Sequence, residues 1–132
     1  MKNKVYVAGW FGSQKRLQAE RDRLREYGYV VTSSWLNEAV ADPTKITTHD
    51  LLPESNQLLA AKDFWEITES NVLIVDTIDV SDRGGREVEM GYALAHKIPV
   101  IVIGPRRNVF HFLIRDVYPT WEEFWAAGSI DI

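Results

Sequence analysis

The sequence predicts an α/β fold of the flavodoxin-like (Rossmann-like) kind: a doubly wound parallel sheet with strand order 2-1-3-4 and a short fifth strand, formed by one domain spanning residues 1–132. Three observations predict it. Short β-branched runs recur along the chain, helix-forming stretches separate them, and glycine or proline punctuates the changeovers. A chain of 132 residues, 45% hydrophobic and 26% charged, has the size and balance for a single core.

Val5, Tyr6, Val7 and Ala8, ended by Gly9, read as a first buried strand. Ser13 is placed to cap the helix that follows, in which Leu17, Leu24 and Tyr27 fall at near-helical spacing before Gly28 stops it. Tyr29 to Ser33 is the second strand. From Leu36 to Ser55 the pattern weakens around Pro43 and Pro53, and excursions of that length are usually functional or mobile. Asn56 to Ser70 regains helical character. Val72 to Asp76 is the most hydrophobic run up to that point, hence a central strand. After Gly84 and Gly85, Arg86 to His96 reads as a helix and Pro99 to Gly104 as the fourth strand. A short helix over Asn108 to Ile114 and a fifth strand near Val117 follow. Thr120 and Glu123 then form a capping-box pattern ahead of Trp121, Phe124 and Trp125, the mark of a terminal helix.

Composition excludes several functions. A formal net charge of -4 and a pI near 5.3 leave no basic face to displace counterions from a nucleic-acid polymer, although a nucleotide-sized ligand stays open. There is no cysteine for disulfides or thiolate ligation, and His49, His96 and His111 lack metal-site spacing, so no metal site is expected. The apolar run from Val5 to Phe11 is too short for a signal peptide, and no stretch nears the roughly 20 apolar residues of a membrane helix. These features predict a soluble, cytoplasmic protein with no membrane partner.

In a doubly wound sheet, ligands bind beyond the carboxyl ends of the strands, where the order reverses between the first and third. Gly9, Trp10 and Phe11 meet the stretch from Thr77 to Glu89 there. Glu89 lies near the start of a helix, where backbone N–H groups and the dipole favour an ionised carboxylate able to attack carbon; alone it also reads as an ordinary first-turn glutamate. Asp63 lies on an apolar stripe, with Leu59 and Ile67 four residues to either side, and is either a catalytic group or a satisfied buried aspartate. Asp79 and Asp82 occupy the loop after the central strand, a position ordinary for turn aspartates. Gly85, beside Gly84, allows close approach of a ligand to backbone or simply a tight turn. Trp10 and Phe11 are placed to stack on a base or to pack.

Taken together, Ala8-Gly9-Trp10-Phe11 and the stretch Gly84-Gly85-Arg86-Glu87-Val88-Glu89-Met90-Gly91-Tyr92-Ala93-Leu94 resemble the nucleoside 2-deoxyribosyltransferase family. Lys62-Asp63-Phe64 followed by Asn71 to Asp76 resembles the family's helix-then-strand segment, so the likeness runs from about Val5 to Gly104. The resemblance implies a carboxylate nucleophile in the E-x-G-x-A context, here Glu89, oriented by a first-strand tyrosine, here Tyr6. It implies that Asp63 and a loop aspartate handle the base, with Asp82 the nearer match and Asp79 open. It also implies a homo-oligomer in which a neighbouring subunit completes the sugar pocket, with Asn108 as the donated residue, and small-molecule partners only: deoxynucleosides and free nucleobases.

The implied reaction is base exchange on a 2′-deoxynucleoside through a covalent deoxyribosyl-glutamate, and it requires no metal or organic cofactor. Two alternatives stay open. One is a 2′-deoxynucleoside 5′-monophosphate N-glycosidase on the same fold, in which water captures the sugar; the Arg106-Arg107 pair suits a phosphate, whereas bulky Trp10-Phe11 replaces the serine-containing loop such hydrolases tend to carry. The other is a nucleotide-sensing module that has kept the pocket and lost turnover.

Overall fold

A computed structural model describes residues 3–45 and 50–128, and His49 lies outside the described residues. Five strands form one parallel sheet: β1 (Lys4–Ala8), β2 (Val30–Val31), β3 (Val72–Asp76), β4 (Val100–Ile103) and β5 (Asp116–Tyr118), in the order β2-β1-β3-β4-β5. Four α-helices alternate with them: α1 (Gln14–Glu26), α2 (Pro53–Thr68), α3 (Gly85–Ala95) and α4 (Trp121–Ala126). The sheet is the predicted one. Its register sets Tyr6 opposite Leu73 and Ala8 opposite Val75, so the ends of β1 and β3 are level where the strand order reverses. All five residues of β3 are buried, as expected of a strand covered on both faces.

Departures from the expected boundaries have local causes. The second strand is only Val30–Val31, because the amide of Val7 on β1 donates to the Ser33 hydroxyl at 3.1 Å rather than to a backbone carbonyl, and pairing stops. Ser13 does not cap α1; its hydroxyl donates instead to Asp79 Oδ2 at 2.6 Å. The helix expected from Asn56 begins at Pro53, since the missing N–H of proline loses nothing in a first turn. The excursion between β2 and α2 contains short 3-10 turns over Ser34–Asn37 and Pro43–Lys45. Thr120 does cap α4, its hydroxyl accepting from the Glu123 amide at 3.2 Å.

One buried carboxylate joins the layers behind the strand ends. Asp76, 1% exposed, receives Arg16 Nη1 and Nη2 from α1 at 2.9 Å each, and Trp121 Nε1 from α4 at 2.7 Å. A bidentate guanidinium and an indole satisfy a charge that would otherwise be strongly destabilising in the interior. Gly104, just past β4, fits the same crowding. Its φ of 121° and the 2.5 Å that would separate an added Cβ from Thr77 Oγ1 leave room for no side chain, and this lets the segment after β4 press on the loop after β3. Among the described residues no helix is long and apolar enough to cross a membrane.

Candidate active site

A cavity of about 360 Å³ opens beyond the carboxyl ends of β1 and β3, where the topology places it. One wall is the turn after β1, with Gly9, Trp10 and Phe11. Asp63 and Phe64 of α2 face it together with Trp35 from the excursion. The start of α3 closes it with Gly85, Arg86, Val88 and Glu89, and Ser81 and Arg83 come from the loop before α3. Aromatic faces thus flank two carboxylates, and two arginines stand on the α3 side.

Tyr6 projects from the middle of β1 and is fully buried, and its hydroxyl donates to Glu89 Oε2. Burial and the neighbouring Glu89 and Asp63 charges push the Tyr6 phenol far above its ordinary value, so it stays a donor. This bond anchors one oxygen of Glu89, a residue that lines the cavity. The helix start was expected to keep Glu89 ionised. Instead burial, with Asp63 and Glu66 adding repulsion against the opposing Tyr6 bond, pushes its carboxyl up to about 8. Asp63 is pushed up to about 6, first by burial and then by Glu66 and Glu38, while Lys62 and the Tyr6 hydroxyl act in the other direction. Two acids in one cavity therefore titrate near neutrality, a pattern typical of acid–base sites.

The remaining residues singled out in the sequence are placed as follows. The Asp79 side chain does not line the cavity; the Ser13 hydroxyl at 2.6 Å and Arg16 at 3.0 Å hold it, and the same contacts keep its carboxyl below the usual range. Asp82 is exposed and also lies outside the cavity lining. Asn108 caps the 3-10 turn Val109–Leu113, its Oδ1 accepting from the amides of Phe110 at 2.9 Å and His111 at 3.3 Å. The structure therefore brings together Tyr6, Gly9, Trp10, Phe11, Asp63, Gly85 and Glu89, and leaves Asp79, Asp82 and Asn108 apart from them within one chain.

Sequence reasoning missed Trp35, Phe64, Arg83 and Arg86. Trp35 is locked by an indole bond to the Val7 carbonyl at 2.8 Å and packs on Phe11 with ring centroids 5.8 Å apart. Its only forewarning was the length of the excursion that carries it. Arg86 was visible as the residue after the glycine pair, but its burial, with 4% exposed, was not.

The raised carboxyls set a stability dependence. The folded chain holds the Glu89 proton to about 8 against an ordinary 4.5, so this group's contribution is complete below the lower value and is lost as pH rises through the higher one. Glu89→Gln keeps an acceptor for Tyr6 and removes the titration. Its melting temperature is expected to exceed that of the parent at pH 9 and to match it near pH 4; thermal melts showing the same difference at both values would contradict the assigned environment.

No family model matches the sequence, and no curated protein sequence matches it. Solved structures resemble the fold, two of them over nearly the whole chain. The 2-deoxyribosyltransferase of the psychrotolerant bacterium Bacillus psychrosaccharolyticus superposes with a TM-score of 0.73 at 18% identity, over 98% of this chain and 93% of that one. The CMP N-glycosidase of Clostridium botulinum does so with a TM-score of 0.59 at 18% identity, over 94% and 96%. Likeness at that identity shows the fold, and the chain has the flavodoxin-like fold of a 2-deoxyribosyltransferase and of a CMP N-glycosidase over nearly its whole length.

Proposed function

We propose that this protein is a nucleoside 2-deoxyribosyltransferase: it breaks the N-glycosidic bond of a 2′-deoxynucleoside with Glu89 as nucleophile and passes the sugar to a second base. The observation that carries this reading is the buried Tyr6 hydroxyl bonded to Glu89 at the edge of a cavity that Asp63 also lines. The sequence resemblance and the two fold neighbours, one a 2-deoxyribosyltransferase and one a CMP N-glycosidase, support it.

In the first half-reaction the pair reacts with Glu89 ionised and Asp63 protonated, the minor of its two singly protonated forms because Glu89 holds its proton to the higher value. Glu89 attacks C1′ as Asp63 gives its proton to the departing base, so an ester forms as the C–N bond breaks. In the second half-reaction an incoming base attacks C1′, Asp63 takes its proton, and the Glu89 ester opens with net retention. Retaining glycosidases work by the same pairing of a nucleophile with an acid that then serves as base. Trp10, Phe11, Trp35 and Phe64 provide faces for a base to lie against.

A second reading has a specific observation in its favour. Arg83 and Arg86 line the cavity, and guanidinium groups suit the phosphate of a deoxynucleoside 5′-monophosphate, the substrate of an N-glycosidase in which water opens the ester. Incubation with a deoxynucleoside or its 5′-monophosphate and a second free base, followed by chromatography, separates the readings. Exchange supports the transferase, free sugar or sugar phosphate the N-glycosidase, and absence of product a binding module. Within either enzyme, Asp63→Asn is expected to slow formation of the glycosyl-enzyme about 100-fold or more for a natural base. A substrate with an activated leaving group would be largely spared. Uniform slowing with a lowered melting temperature would make Asp63 structural.

The same reading includes a homo-oligomer. Leu58 and Trp65 on α2, Val88 on α3, and Val109, Phe110, Phe112 and Leu113 on the 3-10 turn are each more than half exposed, an apolar surface that a second copy of the chain would cover. Light scattering at assay concentration is expected to give a multiple of the 15.2 kDa chain mass; a fully active monomer would remove the idea.

A further inference from the structure

Arg86 is 4% exposed and lines the cavity. Its Nε donates to Glu87 Oε1 at 3.0 Å, and its Nη1 donates to the carbonyls of Asp79 at 2.7 Å and Asp76 at 3.4 Å. Its Nη2 has no hydrogen-bond acceptor among the described residues. The buried side-chain polar atom without a partner among those residues is Gln14 Oε1, so Arg86 Nη2 is not sealed in protein, and the cavity is the opening that Arg86 lines. A guanidinium whose other groups are tethered cannot swing to solvent, and its free edge then requires an acceptor.

Glu87 holds that guanidinium, and His111 holds Glu87. His111 is fully buried; its Nδ1 accepts from the Arg107 amide at 2.9 Å, which leaves the hydrogen on Nε2, facing Glu87 Oε2 at 2.6 Å. Burial opposes ionisation of Glu87, but Arg86 and His111 together keep its carboxyl below the usual range. Asn108 in turn fixes the His111 backbone by capping its turn.

We propose that Arg86 reads an acceptor oxygen of the substrate through Nη2, and that Glu87 and His111 are positioning residues that aim it. The inference rests on the function proposed above. The oxygen belongs either to a phosphate on the sugar or to the nucleoside itself, and the comparison of donors below distinguishes these sources.

The test is a double-mutant cycle on the full chain, with thymidine and thymidine 5′-monophosphate as donors. His111→Phe is expected to raise KM at least tenfold with kcat within threefold, and His111→Gln, whose amide can still donate to Glu87, is expected to restore KM to within threefold. Arg86→Met is expected to raise KM as His111→Phe does, and the double variant no further, because both remove one interaction. An increase confined to the monophosphate assigns the oxygen to phosphate; an equal increase for both donors assigns it to the nucleoside. Additive effects, an unchanged KM, or a fall in kcat that tracks melting temperature would overturn the proposal. If the parent turns over neither donor, the proposed function fails separately, and the same cycle read as thymidine and thymidine monophosphate affinities by calorimetry still decides the roles of His111 and Arg86.

Discussion

The hydrogen bond from Tyr6 to Glu89 is the constraint on which the site depends. A nucleophilic carboxylate has to be desolvated enough to react and anchored enough to point at carbon, and those demands conflict in water. A strand residue at 0% exposure resolves the conflict, because a phenol rooted in the sheet cannot move when a ligand enters. Burial, opposed by that same bond and reinforced by Asp63 and Glu66, leaves the anchored carboxyl with a raised pKa. At neutral pH the two carboxyls therefore keep one proton between them, the proton that the proposed reaction gives to a departing base.

The sheet supplies that anchor and the surrounding network keeps the opposite wall still. Asp76 ties α1 and α4 to the end of β3 through Arg16 and Trp121. From the other side Arg107 donates to the carbonyls of Thr77 at 2.6 Å and Ile78 at 2.8 Å, and Arg86 donates to that of Asp79. Three arginines from three segments thus fix the first residues of the loop after β3, which then delivers Ser81 and Arg83 to the cavity. Such fixation serves a site whose reacting atoms must meet within tenths of an ångström.

The fold was legible because each core strand is a β-branched run and each changeover is marked by glycine or proline. Glu89 and the Gly9-Trp10-Phe11 turn were legible for a topological reason, since strand ends at the order reversal meet whatever the details, and Asp63 was legible as a carboxylate on the apolar stripe of its helix. What could not be read were contacts set by distant partners. Asp79 looks like Asp82 in the sequence, yet Ser13 and Arg16 on another element decide that it faces away from the cavity. Ser13 has the residue type of a helix cap and loses that role to the same aspartate. Asn108, which the resemblance assigns to a neighbour's pocket, also caps its own turn, a local role that its residue type allows regardless of family. The positive edge made by Arg83 and Arg86 gave no periodic signal, because one residue lies in a loop and the other is buried by tertiary contacts alone.

In the proposed reaction Glu89 becomes covalently attached to the sugar. Intact-protein mass spectrometry after rapid acid quench, with a 2′-deoxynucleoside carrying an activated leaving group and no acceptor base, tests it most directly, with peptide mapping to locate the adduct. A mass increase of one deoxyribosyl unit is expected on the peptide containing Glu89, and none in Glu89→Gln. Release of the base by the parent protein with no adduct at any quench time, or an adduct on another residue, would contradict it.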